Sequence, residues 1–442
     1  MENRRIIQVE DKVPASLMVP LSIQHMFAMF GASVLVPFIF GINPAIVLFM
    51  NGIGTLLFIL ITKGKAPAYL GSSFAFLAPA GIVIATMGFQ YAQGGFVVVG
   101  LCGCVLAGII YKFGTRWIDV VLPAAAMGPV VALIGLELAG SAANTAGIIA
   151  TTEYVEDAAT GLYQMVYTPV DPKNMIVFLV TLLVAVFGSV LFKKFLSVIP
   201  ILIAIIAGYA AALITGVITP DAIASCFTDT AVFSLPNFQL PKFNTQAILL
   251  ILPVLLVITS EHIGHQIVTG KIVGRDLLRD PGLHRSLFAD NFSTALSGLI
   301  GSVPTTTYGE NIGVMAMTRV YSVRVIAGAA VLSIICSFVG PLSALIQTIP
   351  GPVIGGISFL LYGMIGASGI RILVDAKVDY GRSRNLTLTS VIFVVGLSGV
   401  KISFGSVSLS GMVLACIVGM IISLLFYIFD KLKLMNDMEE SA

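Results

Sequence analysis

The chain has 442 residues, 57% of them hydrophobic and only 10% charged, with a mean hydropathy of +1.01. Soluble domains carry about 25% charged residues, so this composition excludes an ordinary soluble enzyme. A net charge of +2 implies no nucleic-acid partner.

From the N-terminus, residues 1–13 are polar and mixed in charge, without the short apolar core and small-residue cleavage site of a removable signal peptide. Apolar runs bounded by Gly, Pro or charge then predict spans near 17–40, 44–62, 69–88, 94–113, 121–139, 174–191 and 197–217. After a long loop, a second set is expected near 247–270, 284–300, 303–322, 325–345, 352–370, 385–401 and 407–430. The fold class expected is therefore an all-α polytopic membrane protein with fourteen transmembrane segments. The five cysteines (Cys102, Cys104, Cys226, Cys336 and Cys416) read as packing residues.

Charge tests this count. With the N-terminus in the cytoplasm, all of the 24 Lys and Arg residues except Lys173, Lys242 and Lys401 fall on the inside, as the positive-inside rule requires. Both termini are then cytoplasmic, and the loops at about 140–173 and 218–246 lie outside. Seven is an odd number, so the second set enters the membrane from the opposite side. This is a 7+7 inverted repeat, the plan of many secondary transporters.

A weak internal echo supports the repeat. Gly71-Ser72-Ser73-Phe74-Ala75-Phe76 in span three corresponds to Gly301-Ser302-Val303-Pro304-Thr305-Thr306 in span ten. Ser, Thr, Phe and Val suit extended backbone, and Pro304 disfavours helix at Val303. Each of these spans is expected to hold a short β-strand followed by a half-helix. Irregular backbone at that depth is tolerable only when buried in protein or lining a cavity.

The ionisable residues inside apolar sequence are the functional candidates. Glu310 lies in Thr305-Thr306-Thr307-Tyr308-Gly309-Glu310-Asn311-Ile312-Gly313, near the expected start of a half-helix, where free N–H groups and the helix dipole favour negative charge. Its carboxylate and the nearby N–H groups match a planar solute with alternating N–H and C=O edges. Phe74 and Tyr308 could wall its flat faces. Glu261 and His265 are four apart, on one helix face and within reach of a direct hydrogen bond. Such a pair is suited to proton uptake and release near neutral pH. His262 points elsewhere and reads as a packing residue, Asp290 as a tie between helices, and Glu137 as structural or gating. His262 and His265 with Glu261 do not form H-E-x-x-H, and no P-loop is present, so a membrane metalloenzyme and an ATP-driven pump are disfavoured alternatives.

Glu310-Asn311-Ile312-Gly313 followed by Thr318-Arg319 resembles the signature of the nucleobase–ascorbate transporter family, also called nucleobase–cation symporter family 2. The resemblance continues in Gln24-His25, Ser72 to Phe76, Glu261 to His265 and Leu277 to His284, and covers almost the whole chain. It implies a core domain (residues 14–118 and 244–345, spans one to four and eight to eleven) and a gate domain (119–218 and 346–430, spans five to seven and twelve to fourteen). It implies proton-coupled symport of uracil across a bacterial inner membrane by alternating access, with no cofactor, no bound metal, and room for homodimers. A purine or xanthine symporter of the same fold is the alternative, disfavoured because such members usually have Gln at the position of Glu310. Residue by residue, Glu261 and Glu310 match the base-binding carboxylates. His265 matches a histidine associated with proton coupling, and Phe74 an aromatic packed on the substrate. Ala32, Tyr308 and Gly309 match pocket positions, and Tyr362 a gate residue facing the site.

Overall fold

The computed structural model describes residues 6–156, 163–193, 196–197, 199–404 and 407–435. The fold is mostly helical. Among the described residues, eight helices are long and apolar enough to cross a membrane: Ala15–Phe40, Pro44–Ile61, Phe89–Phe113, Ala124–Ala146, Pro172–Leu191, Thr245–Val273, Gly351–Asp375 and Gly411–Lys431. Shorter apolar helices are Phe74–Met87, Pro200–Thr215, Val323–Ser337 and Ser383–Leu397. Helices Leu283–Ile300 and Gly309–Thr318 complete the set that falls in the apolar windows of the sequence. Starts follow local chemistry: Asn43 accepts from the Ala45 N–H at 2.8 Å and Asp171 from the Lys173 N–H at 2.9 Å, each followed by Pro at the first helical position.

Two β-hairpins stand where the sequence suggested loop or helix. Thr151–Glu156 pairs antiparallel with Tyr163–Thr168, and Lys401–Phe404 with Val407–Ser410. The last helix therefore begins at Gly411, not near 407. Helix Gly351–Asp375 runs five residues beyond its expected end because Ile372, Leu373 and Val374 prolong the apolar pattern.

Helix pairs close through small residues, the general device for tight packing in lipid. Helix Leu283–Ile300 packs along Phe89–Phe113, and a Cβ on Gly103 would collide with Asn291 Oδ1. Helix Gly351–Asp375 packs along Ala124–Glu137, where Gly369 meets the backbone of Ala132.

The expected breaks in spans three and ten are present. Leu70–Ser72 and Thr305–Thr307 form a two-stranded antiparallel ladder in register Leu70↔Thr307, Gly71↔Thr306 and Ser72↔Thr305. The Ser73 N–H bonds to Pro304 O at 2.8 Å and the Tyr308 N–H to Tyr69 O at 3.0 Å, extending it by one step at each end. The ladder's outer edges are met by threonines of neighbouring helices. Leu70 N–H donates to Thr55 Oγ1 at 2.9 Å. Thr294 Oγ1 accepts from the Thr305 N–H at 3.2 Å and donates to Thr305 O at 2.8 Å. Helices Leu77–Met87 and Gly309–Thr318 then leave the ladder.

The start of the chain forms a strap. Ile7 bridges Val320 in parallel, with Ile7 N–H on Arg319 O at 3.1 Å and Tyr321 N–H on Ile7 O at 2.9 Å. Val9 is fully buried, and Glu10 takes a two-pronged bond from Arg275, Nη2 to Oε2 at 2.7 Å. The strap thus ties the ends of Gly309–Thr318 and Val254–Val273.

Two outcomes are expected. Thr294→Val keeps the volume but leaves the N–H and C=O of Thr305 unpaired; buried unpaired groups cost about 1–3 kcal/mol, so the unfolding midpoint in detergent should fall. An unchanged midpoint would mean the edge is satisfied otherwise. The hydrogen bond from Arg275 holds the Glu10 carboxyl below its usual range. Its contribution is therefore present above the unfolded carboxylate pKa, about 4.3, and is lost as pH falls through the lower folded value. Glu10→Gln should cost about 0.2–1 kcal/mol at pH 7, as for other exposed pairs. Melting curves of parent and variant should converge below about pH 4.

Candidate functional site

A cavity of about 360 Å³ opens beside the ladder. It runs from Glu261 and Glu310 to exposed Met317, Ser368 and Arg371. Phe74, His265, Thr306, Thr307, Tyr308 and Gly309 also line it. Three sequence-distant segments meet here: helix Val254–Val273, the extended residues before Phe74, and the turn from Thr307 into Gly309–Thr318.

Glu310 occupies the first turn of Gly309–Thr318, as its position before an apolar run suggested. It is half-buried, and Glu261 is buried, with Oε2 unpartnered. His265 departs from expectation. Its Nδ1 pairs with Thr307 Oγ1 at 3.1 Å, not with Glu261. A Cβ built on Gly309 would lie 3.5 Å from His265 Nε2. The imidazole therefore spans the entry to the second half-helix. The i,i+4 spacing permits the Glu261 contact, but Thr307 crosses the same helix face and takes the ring.

Tyr308 is buried. Its hydroxyl donates to Ser72 O at 3.0 Å, and its ring covers Gly71, where a Cβ would overlap it. Phe74 meets Tyr362 edge-on, ring centroids 5.7 Å apart and planes at 86°. Tyr362 itself is not among the residues lining the cavity; it is buried behind Phe74. Ala32 lies on the backbone of helix Phe30–Phe40, and its side chain is outside the described residues.

Outside the cavity, His262 Nε2 pairs with Ser286 Oγ at 3.0 Å and its Nδ1 lies 3.5 Å from Asp290 Oδ2. Both side chains are buried, and neither Asp290 oxygen has a hydrogen-bond partner, so the expected tie is a close approach to His262 and not a made bond. Asn311 Nδ2 donates to His25 O at 2.9 Å and lies 3.1 Å from His25 Nδ1, fastening the half-helix to the first helix. Glu137 Oε2 accepts from the Met412 N–H at 2.9 Å, capping the start of helix Gly411–Lys431. Sequence reasoning missed Thr307 as the partner of His265; the Thr305–Thr307 run signalled extended backbone but not this contact. Among the described residues, no group of three or more His, Cys, Asp or Glu could hold a metal.

A bundle of apolar helices around a largely apolar cavity that carries two carboxylates beside paired broken segments defines a multi-pass membrane transport protein. Residues 17–405 match the family model described as "Permease family" (Xan_ur_permease), and the chain belongs to that family. It is 53% identical over 430 residues to the uracil permease of Escherichia coli strain K12, covering 97% of this chain and 96% of that one. It is 51% identical over 433 residues to the uracil permease of Paenibacillus larvae, covering 98% and 99%. In fold it is similar to SLC26A9, with TM-score 0.69 and 9% identity over 94% of this chain and 66% of that one. The transmembrane domain of the cyanobacterial bicarbonate transporter BicA gives 0.58 and 14%, covering 94% and 100%. The family resemblance drawn from Glu310 to Arg319 is thereby borne out.

Proposed function

We propose that this chain moves uracil together with protons across a bacterial inner membrane by alternating access. The near full-length similarity to uracil permeases supports the substrate. The observation that carries the chemistry is the placement of Glu261 and Glu310 on one cavity beside Phe74. Uracil is flat, with two N–H and two C=O groups alternating around its edge. Carboxylates accept from the N–H groups, and free N–H groups at the start of Gly309–Thr318 donate to a carbonyl. Phe74 offers a face for stacking, held edge-on by Tyr362. His265, at the entry of the half-helix, links the site to proton movement.

The fourteen-span topology, with both termini cytoplasmic, gains support from how loops meet. Glu10 with Arg275, Lys65 with Asp280 and Lys271 with Asp375 all join segments assigned to the inside. Gln239 N–H on Ile300 O, Lys242 N–H on Gln90 O and Ser343 Oγ on Asn43 Oδ1 join segments assigned to the outside. Thr55 and Thr294, on helices that precede spans three and ten, serve matching roles at the two ladder edges, as a 7+7 inverted repeat requires. Residues 14–118 and 244–345 then form the core domain that carries the site, and 119–218 and 346–430 the gate domain, with homodimerisation through the gate.

Glu310→Gln should weaken uracil binding about ten- to a hundredfold, the worth of a charge-assisted bond of roughly 1.5–3 kcal/mol. Calorimetry in detergent measures this, and parent-like affinity removes Glu310 from the site. His265→Ala should lower gradient-driven accumulation in proteoliposomes and flatten its pH profile, while binding at a fixed low pH survives better than in Glu310→Gln. A parent-like uptake profile would make His265 structural.

A further inference from the structure

The cavity's exposed end lies where helix Val254–Val273 passes helix Gly351–Asp375. The two helices touch at two levels. At the first, a Cβ built on Gly264 would lie 2.9 Å from Ile372 Cδ1. The glycine lets the Ile372 side chain lie against the backbone next to His265; a larger residue would turn the Ile372 tip aside. At the second, two turns on, Lys271 Nζ lies 3.6 Å from Asp375 Oδ2 and donates to Asp375 O at 3.3 Å. Arg371 Nε, from the same helix as Asp375, faces that carboxylate at 3.8 Å. Lys271 therefore meets both a carboxylate and the negative end of a helix on the opposing body. Val268, between the two levels, and Ile272, Arg371 and Ile372, beside them, line the cavity mouth.

We infer that Lys271 and Asp375 form a latch between the site-bearing helix and helix Gly351–Asp375, made while the cavity opens towards Arg371 and parted when the site helix slides to close it. The inference rests on the core and gate reading above. Lys271 and Asp375 are 51% and 30% exposed. An exposed pair biases an equilibrium by about two- to fivefold, enough to set which state is favoured and too little to arrest the cycle. Arg371 keeps the Asp375 carboxylate compensated once Lys271 leaves, so the parted state carries no stranded charge. The contact at Gly264 has no polar component and offers no resistance to sliding beyond loss of packing.

The test uses the full chain in inside-out vesicles with Ser368→Cys as a reporter at the mouth, labelled by a membrane-impermeant maleimide. Lys271→Ala and Asp375→Ala should each slow labelling about two- to fivefold, while Lys271→Arg, which keeps the cation, should label like the parent. Equal labelling in all four proteins overturns the latch. Separately, Lys271→Cys with Asp375→Cys, oxidised to a disulfide, should stop uracil uptake reversibly with reductant while leaving uracil binding intact. Parent-like uptake by the cross-linked protein also overturns it. Failure of the unmodified chain to bind or carry uracil would instead sink the proposed function, and the labelling rates would still decide the latch.

Discussion

Backbone N–H and C=O groups at membrane depth must find partners inside the protein, and the ladder of Leu70–Ser72 with Thr305–Thr307 is where this chain meets that demand without helix. A two-stranded sheet has two open edges, and in hydrocarbon an open edge is prohibitive. Here Thr55 and Thr294 reach in from adjacent helices and pair with Leu70 and Thr305. Because these threonines lie on the segments that precede each strand, the chain supplies its own edge partners twice. Every other feature of the site follows from a ladder that can exist there. It interrupts two spans at one depth, and it allows a half-helix to begin beside a cavity.

A helix that starts inside the protein exposes its first N–H groups where lipid would forbid them, and this makes Glu310 tenable. The turn into that helix is braced from three sides. Tyr308 donates to Ser72 across the ladder, His265 holds Thr307, and Asn311 grips His25. Each bond joins a different element to residues 307–311, so the carboxylate's position is over-determined by contacts that do not involve a ligand. Around the same cavity, Glu261 Oε2 and Thr306 Oγ1, and behind it Ser73 Oγ and Tyr362 OH, are buried and unpaired within the protein. Such groups are not confined to the cavity: both oxygens of Asp290 and both side-chain amide atoms of Gln93 are also buried without a partner.

What the sequence made legible was anything carried by composition or by punctuation. Long apolar runs marked the helices, Pro304 and the Gly-Ser pairs marked the breaks, and Glu261 and Glu310 stood out as charges in apolar surroundings. What stayed hidden depends on which distant residue arrives beside another. The His265–Glu261 spacing suggested a bond that Thr307 takes instead, because the strand crosses that helix face. Tyr362 falls behind Phe74 because ring packing between helices decides its depth, and no local pattern encodes that. The hairpins at Thr151–Thr168 and Lys401–Ser410 were missed because alternation over four to six residues is faint beside spans of twenty. The Glu10–Arg275 and Lys271–Asp375 pairs were visible only as charge of the right sign in the right loops.

Glycine contacts separate the helices into two kinds of neighbour. Gly52 meets Ala330 O, Gly100 meets the backbone of Asn291 and Ala295, Gly135 meets Tyr362 O, and Gly369 meets Ala132. In each case backbone lies against backbone, an interdigitation that fixes register, since any slide drives one main chain into the other. Gly31 and Gly264 differ. Their nearest neighbours are side chains, Ile201 Cγ2 and Leu361 Cδ1 at Gly31 and Ile372 Cδ1 at Gly264, and the Leu361 and Ile372 ends can turn aside as the surfaces pass. The backbone contacts join helices on the same side of the proposed division; those of Gly31 and Gly264 lie across it, while side-chain tips also meet glycines within one side, Ile251 at Gly95 and Ile392 at Gly419. A boundary made of apolar tips on small residues, with Lys271 and Asp375 at its rim, holds two bodies together without locking them. That is the mechanical property alternating access demands of the surface beside Glu261 and His265.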